Sequence, residues 1–323
     1  MFFTLAELEA AVPLVRAVVP PTTQFAWPLL AARFGTTVLV KHENHTPTGA
    51  FKVRGGLTYF ERLRRERPQV KGVVSATRGN HGQSLAFAGA RAGVAVTIVV
   101  PRGNSAEKNA AMRAFGADLV EHGRDFDEAK ARAEALAAER GLEYAPSFHK
   151  DLVVGVATYA LELFRAEPGL DTVYVPIGLG SGICGVIGAR DALKLKTRVV
   201  GVVSDRAACY SLSLQRNTLV KTENALTFAD GMAVRTPDPA ALELIRRGAE
   251  RVVEVSDDEV AEAIRVLFTD THSTAEGAGA AALAAFMKER EKAGKRVAVV
   301  LTGQNIDRPV MQEVLAGRTP RVA

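Results

Sequence analysis

The segment Lys41–Gly56 carries the lysine best placed to do chemistry. It reads KHENHTPTGAFKVRGG: a strand ends, a turn with Pro47 and Gly49 follows, and a helix opens near Phe51. Lys52 therefore stands at the start of a helix, where the positive end of the helix dipole disfavours an ammonium charge. Partial burial would lower the pKa of the amine further. Such a lysine suits a nucleophile or Schiff base, although by itself it also fits an ordinary surface lysine.

A second polar segment, Ser75–Gln83, reads SATRGNHGQ and leads from a buried strand into a helix. Open α/β sheets place their ligand sites at the carboxyl ends of strands. Thr77 and Asn80 occupy that place and could bind a polar ligand there. The same residues also fit a glycine-containing strand-to-helix turn capped by asparagine.

The third segment, Pro176–Gly185, is a glycine-rich loop that again leads from a strand into a helix. Its backbone N–H groups and the helix N-terminus predict a phosphate site. Gly180, Gly182 and Gly185 spell G-x-G-x-x-G, and Asp205 follows twenty residues after Gly185, which matches a dinucleotide fingerprint. The loop therefore predicts a phosphate but leaves NAD and other phosphorylated cofactors open.

The fourth segment, Val299–Asn305, ends a buried strand in Thr302 and a glycine, and in isolation it fits an ordinary strand exit. Nearly continuous hydrophobic runs, typical of buried parallel strands, precede or follow these segments. The predicted strands are Thr37–Lys41, Gly72–Ser75, Val94–Val100, Asp118–Glu121, Thr172–Pro176, Arg198–Ser204, Arg251–Val255 and Arg296–Leu301.

Amphipathic stretches between the strands predict helices, and this alternation indicates an α/β architecture with right-handed crossovers. The stretch Ser204–Pro239 is predicted to be irregular and to serve as a lid or a subunit contact. The predicted helices are Phe51–Arg65, His81–Ala92, Ala106–Phe115, Phe126–Glu139, Leu152–Ala166, Ile183–Leu193, Ala240–Ala249, Asp257–Thr269 and Ala278–Lys292.

The composition excludes several classes of protein. With 323 residues, 47% hydrophobic and 24% charged, the chain can bury a large core without metals or disulfides. The two cysteines form no disulfide framework, and with no signal peptide or apolar span we expect a cytoplasmic protein. The net charge of +5 is spread along the chain, so we expect neither a nucleic-acid nor a membrane partner.

Taken together and in this order, the four segments resemble the fold-type II pyridoxal phosphate (PLP) enzymes, and most closely the threonine dehydratase and serine racemase family. The resemblance runs from about Thr22 to about Asp307. It implies two open parallel-sheet α/β domains, like the β subunit of tryptophan synthase, with the cofactor in the cleft. The implied large domain comprises residues 1–47 plus 147–323, and the smaller, mobile domain comprises residues 48–146.

The resemblance also implies roles for individual residues. Lys52 would hold the cofactor as a Schiff base and act as the catalytic base, and Phe51 would pack against the pyridine ring. Asn80 would hydrogen-bond the ring hydroxyl, Thr302 would contact the ring nitrogen, and Glu276 would face the cofactor. The phosphate would lie in the loop formed by Gly178, Leu179, Gly180, Ser181, Gly182 and Ile183.

The implied reaction is a β-elimination, in which an ammonia-lyase converts L-threonine or L-serine into a 2-oxo acid and ammonia. The hydroxyl of Thr302 is not a strong acid, so the ring nitrogen stays largely neutral and loss of a β-leaving group is favoured over a long-lived carbanion. A hydroxylated diamino acid is an alternative substrate. An NAD-dependent oxidoreductase is the alternative from another class, but it leaves Lys52 and Asn80 unexplained.

Departures from the family pattern refine the expectation. Arg78 stands where serine racemases carry a serine, and a permanent cation is a poor acid, so we expect little racemisation. Ala50 replaces a serine, the family's metal-binding carboxylates are missing near Val203, and no metal or C-terminal regulatory domain is expected. We expect a homodimer. The residues expected to contact substrate are Thr77, Arg78, Gly79, His81, Asp230 and Gly231.

Overall fold

The structure is a computed structural model that describes residues 2–322, so Met1 and Ala323 of the predicted large domain lie outside the described residues. Within that range eight of the ten strands follow the predicted hydrophobic runs closely, and the short strands Gln24–Ala26 and Glu143–Tyr144 were not predicted. The strands are β1 Gln24–Ala26, β2 Val38–His42, β3 Gly72–Ala76, β4 Ala95–Val100, β5 Asp118–Glu121, β6 Glu143–Tyr144, β7 Thr172–Pro176, β8 Arg198–Ser204, β9 Arg251–Val255 and β10 Val297–Leu301.

The α-helices between the strands are α1 Leu5–Arg16, α2 Pro28–Phe34, α3 Lys52–Glu66, α4 Asn80–Ala92, α5 Ala106–Ala114, α6 Phe126–Arg140, α7 Lys150–Ala166, α8 Ser181–Ala192, α9 Cys209–Gln215, α10 Pro239–Gly248, α11 Asp257–Thr271, α12 Gly277–Glu289 and α13 Arg308–Leu315. None of the helices in the described range is both long and apolar enough to cross a membrane.

Two sheets organise the chain. One has six strands in the order β1-β2-β10-β7-β8-β9, and the other has four in the order β5-β4-β3-β6. Every pair is parallel except β1–β2, where Gln24 lies opposite Lys41. The α/β class is confirmed, but β1 is an antiparallel edge strand that the expectation of parallel sheets did not include. It is only three residues long and carries no hydrophobic run.

The central strands were predictable because both of their faces are covered by helices. All residues of β7 and β10 are buried, as a parallel strand between two helical layers requires. The prediction that Ser204–Pro239 is irregular is wrong in part, because α9 and short 3-10 turns interrupt it. We also missed α1, although its Thr4–Glu7 capping box is a sequence signal for a helix start.

The packing brings the two sheets together along α3. This helix begins at Lys52 and contacts both α4, beside the four-stranded sheet, and α7, beside the six-stranded sheet. The carboxyl ends of β3, β7 and β10 are followed by the three loops that the sequence singled out. These loops therefore meet at the seam between the sheets, where ligand pockets commonly form.

Candidate functional site

One cavity at this seam is lined by almost every residue expected to contact a ligand. The exception is Ile183, which is fully buried inside α8 behind the loop. The predicted residues that line the cavity are Phe51, Lys52, Thr77, Arg78, Gly79, Asn80, His81, Gly178, Leu179, Gly180, Ser181, Gly182, Asp230, Gly231, Glu276 and Thr302.

The amine of Lys52 lies beside the glycine loop. Its Nζ donates a hydrogen bond to Ser181 Oγ at 2.8 Å, and burial lowers its pKa to about 8, an effect that nearby Glu276 opposes. The backbone before it is held against the end of β10: Phe51 N–H donates to Thr302 O at 3.1 Å, and Ala50 bridges the strand exit. A largely buried, weakly basic amine is thereby fixed next to a turn that can hold an anion.

The glycine loop is shaped by close backbone approach. Gly180 has a φ of +103° and caps α8, a conformation that favours glycine. A Cβ atom on Gly178 would lie 2.3 Å from the carbonyl oxygen of Gly231, so no side chain fits there. The first backbone bond of α8 runs from Cys184 N–H to Gly180 O, and the N–H groups before it are the orphan donors of a helix start. They form an anion cradle.

Asn80 connects three segments that lie far apart in the sequence. Its Nδ2 donates to Glu276 Oε1 at 2.6 Å, and its Oδ1 accepts from Asn305 Nδ2 at 2.8 Å. Asn305 also donates to the carbonyl oxygen of Thr48 at 2.8 Å. We did not single out Asn305, although it follows the strand-ending Thr302 by only three residues. Its polar side chain at a strand exit was the available signal.

Two buried titratable groups in the cavity are incompletely paired. Burial raises the pKa of Glu276 to about 7, an effect that the charge of Lys108 opposes, and its Oε2 has no hydrogen-bond partner among the described residues. Burial, together with the charge of Lys52, lowers the pKa of His81 to about 3, and its Nε2 is likewise unpartnered. His81 is therefore neutral near pH 7 and could donate or accept one hydrogen bond.

Lys108 is a cavity residue that we missed. It lies on α5 with 8% of its side chain exposed, forms an ion pair with Asp230, and places Nζ 4.0 Å from Glu276 Oε2. Although burial opposes the charge, Asp230 and Glu276 raise the pKa of Lys108. Nothing in the local sequence marks this lysine, because its partners lie more than a hundred residues away.

Arg78 lies where the inner cavity opens into an outer cavity of about 770 Å³. The other guanidinium groups and lysines of the outer cavity are paired with carboxylates, whereas Arg78 has no ion pair among residues 2–322. Within the same range, no group of three or more His, Cys, Asp or Glu side chains is placed to hold a metal. The absence of a metal stays a prediction.

Comparison with known proteins places the chain in a family. The family model for pyridoxal-phosphate dependent enzymes matches residues 15–303. A biosynthetic L-threonine dehydratase of Salmonella typhimurium is 35% identical over 282 residues, which are 86% of this chain and 55% of that protein. An L-threonine ammonia-lyase of Thermotoga maritima is 33% identical over 313 residues, which are 97% of this chain and 78% of that protein. The chain thus spans about half the length of the first relative.

Among solved structures, the processed form of threonine deaminase isoform 2 from Solanum lycopersicum superposes with a TM-score of 0.88 at 29% identity. The match covers 98% of this chain and 95% of that one. These findings confirm the resemblance drawn from the four segments and the fold class that it implied. The dinucleotide interpretation of Gly180–Gly185 loses its support, because the matched family uses a different phosphorylated cofactor.

The residues of the cavity fit pyridoxal phosphate. The backbone cradle begins at Gly178, where no side chain fits, and Ser181 Oγ in the same loop lies 2.8 Å from Lys52 Nζ, the amine that could bind the aldehyde. Glu276 Oε2 and His81 Nε2 are buried polar atoms that have no hydrogen-bond partner in the described range. Thr302, only 3% exposed, adds a hydroxyl on the same wall. Lys52, Ser181, Gly182, Asn80 and Thr302 are the residues that would hold the group.

Proposed function

The chain belongs to the pyridoxal-phosphate dependent enzymes, and we propose that it is an ammonia-lyase for a small β-hydroxy amino acid. The simplest substrates are L-threonine and L-serine, which would yield a 2-oxo acid and ammonia. One observation carries the proposal: the buried, weakly basic amine of Lys52 next to the glycine cradle of α8. The relatives named L-threonine dehydratase and L-threonine ammonia-lyase support the choice of substrate.

Lys52 has two roles in this proposal. When bound, the cofactor supplies an electron sink for the substrate's α-carbon. Because burial lowers the pKa of Lys52 to about 8, a substantial share of its amine is neutral near pH 8. A neutral amine can both hold an aldehyde and, once displaced by the substrate amine, accept the α-proton. Ser181, 2.8 Å from Nζ, orients the amine toward the cradle.

The neighbouring groups orient the ligand and limit side reactions. Asn80, held between Glu276 and Asn305, keeps a fixed position on the cavity wall. The hydroxyl of Thr302 is a weak acid, so it would leave a ring nitrogen largely neutral and favour loss of the β-hydroxyl. His81, with its pKa lowered to about 3, does not supply a proton near neutral pH.

Arg78 binds the substrate carboxylate in this proposal. Its guanidinium has no ion pair among the described residues and lines both the inner and the outer cavity. Thr77 Oγ1 accepts from Gly79 N–H at 3.1 Å and so fixes the backbone that presents Arg78. A guanidinium does not release a proton at neutral pH, so racemisation through this side of the site should be weak.

We further infer that residues 48–146 form a small domain that moves against residues 1–47 plus 147–323. The two sheets and the seam between them support this division. Closure would exclude water from the cavity. We also infer a homodimer in the cytoplasm, for which sedimentation of the purified protein and fractionation of cells are the tests.

The decisive experiment begins with the visible spectrum of the purified protein. The proposed attachment is supported if the protein is yellow, borohydride bleaches it, and the reduced cofactor is then found on the peptide that contains Lys52. Release of 2-oxo acid should then be measured for L-threonine, L-serine and a hydroxylated diamino acid. If the reduced cofactor is found on another lysine, Lys52 has no role in the mechanism. A lack of turnover with all three substrates would overturn the proposed activity.

A further inference from the structure

Lys108 is a buried lysine that reaches across the seam. Its helix, α5, packs against α4 and β5 of the four-stranded sheet. Its amine pairs with Asp230, which lies in a 3-10 turn after β8, and approaches Glu276 at the start of α12. Burying an ammonium is unfavourable unless it is paired, and these two carboxylates provide the pairing.

The side chain of Lys108 passes close to Gly79. A Cβ atom on Gly79 would lie 2.7 Å from Lys108 Cδ, so the aliphatic stem crosses the backbone just before Asn80. Lys108 thereby runs along the segment that carries Arg78 and Asn80 before its amine meets the carboxylates. The same segment carries the proposed substrate and cofactor contacts, so a shift of Lys108 would change their positions.

The first turn of α5 also docks on the segment after β10. Ser105, the N-cap of α5, donates from Oγ to Asp307 Oδ1 at 2.6 Å. The backbone N–H of Arg308 donates to Glu107 Oε1 at 3.1 Å. Together with the Lys108 ion pair, these contacts join the two sheets on one side of the cavity. Lys108 is the member of this docking contact whose charge also faces Glu276.

We propose that Lys108 is a positioning residue that couples docking of α5 over the cavity to the charge on Glu276. Docking places an ammonium beside Glu276 and so favours its carboxylate form. The carboxylate is a stronger acceptor for the amide of Asn80, 2.6 Å away, than the protonated acid. Docked α5 therefore fixes Asn80. The inference deepens the proposed function, since it concerns the same site.

The charges around Glu276 make the direction of the coupling testable. Lys108 from α5 and Lys52 from α3 favour the carboxylate, Asp230 disfavours it, and uncharged Asn80 donates to it. Asp307 acts indirectly, because its charge raises the pKa of Lys108. Removing the charge of Lys108 should therefore raise the pKa of Glu276, and removing that of Asp230 should lower it. Damage to the packing alone would not give opposite signs.

The experiment is a carbon-13 NMR titration of holoenzyme labelled at the glutamate carboxyl carbon, without substrate. The signal missing from Glu276→Gln identifies the residue. Lys108→Met should raise the pKa of Glu276 by about one unit or more, since an opposite charge at 4 to 6 Å typically shifts the pKa of a carboxyl by 1 to 3 units. Asp230→Asn should move it down. Lys130→Met, a half-exposed lysine of the outer cavity, is the matched control and should leave it unchanged.

A second variant tests the docking itself. Ser105→Ala weakens the docking contact without altering a charge beside Glu276, so it should raise the pKa of Glu276 in the same direction as Lys108→Met but by less. The inference is overturned if Lys108→Met leaves the pKa unchanged or lowers it, or if Ser105→Ala does so. Should Lys108→Met fail to fold, Asp230→Asn decides alone, because a rise or no change contradicts the coupling. The titration needs no turnover, so it stands apart from failure of the proposed activity.

Discussion

Two buried clusters of charged and polar side chains lie near Lys52, and they differ in how completely their groups are paired. The first, which we term the anchor network, contains Lys41, Glu43, Arg54 and Glu162. Arg54 donates to Glu43 at 2.8 and 2.9 Å and to Glu162 at 2.9 and 3.0 Å, with none of its side chain exposed. Its two cations and two anions balance, and the charged groups are held by short hydrogen bonds.

The second cluster, in the cavity, leaves polar atoms without partners. Among residues 2–322, Glu276 Oε2 and His81 Nε2 have no hydrogen-bond partner, and burial raises the pKa of Glu276 and lowers that of His81, which favours the neutral form of each. Burial opposes the charge of Arg54 too, but Glu43 and Glu162 outweigh it and raise its pKa. The fully paired Arg54 fixes the backbone two residues beyond Lys52. The unpaired polar atoms of the cavity remain available to a ligand.

The largest expected effect is on turnover, when Lys52 is removed from between the two clusters. Lys52→Ala should lower turnover by about a thousandfold or more, because both the covalent attachment and the base are lost. Folding should be little affected, since the amine makes one hydrogen bond, to Ser181, within the part of the chain that the structure describes. Kinetics of 2-oxo acid release and urea unfolding measure the two effects. Lys130→Ala, on the rim of the outer cavity, is the control and should retain turnover.

The opposite result is expected for Arg54→Met. Removing Arg54 leaves the buried Glu43 without a cation and Glu162 with Lys41 alone, so the unfolding free energy should fall by about 3–5 kcal/mol. Urea titration measures the loss. A fall of less than about 1 kcal/mol, as for exposed pairs, would show that the anchor network does not stabilise the fold.

The sequence predicted the parts of the site that are local in the chain. Lys52, Asn80, the loop from Gly178 and Thr302 each follow a hydrophobic run that ends in glycine or small polar residues. Such runs fix β3, β7 and β10 because strands buried on both faces need continuous apolar residues. Once the strands are parallel, their carboxyl ends meet at one edge, and the segments after them converge.

The parts we could not predict are pairings between distant segments. Lys108 meets Asp230 across 122 positions, and Arg54 meets Glu162 across 108. In the sequence both cations look like solvated helix residues, because charge on a helix carries no information about a partner elsewhere. The antiparallel β1 was missed for a related reason: three residues give no periodicity, and only its pairing with β2 makes it a strand.

The cavity cluster should also make the unfolding free energy depend on pH. The native pKa of Glu276 is raised from 4.5 to about 7, so between these values the native state holds a proton that the unfolded chain releases. The stability contributed by this residue is therefore complete below pH 4.5 and lost as the pH rises to about 7. Glu276→Gln removes the titration. Its stability relative to the parent should rise by about 3 kcal/mol between pH 4 and pH 8.

This is measured by urea unfolding at a series of pH values on the protein freed of cofactor. His81 titrates in the same range, but it is present in both proteins and its contribution cancels in the difference. A difference curve that is flat, or that falls with pH, would contradict a raised pKa for Glu276.

The smallest effect is expected at Arg62, which lies on the same helix as Arg54 but near the surface. Its side chain is 36% exposed, and it pairs with Glu66 one turn away and with Asp151 at the start of α7. Water screens such pairs, so Arg62→Met should lower the unfolding free energy by less than about 1 kcal/mol, and less still in high salt. Urea titrations at low and high salt, run beside Arg54→Met, measure both. If the two substitutions destabilise the fold equally, burial does not separate the anchor network from an ordinary surface pair, because residue type and helix are the same in both.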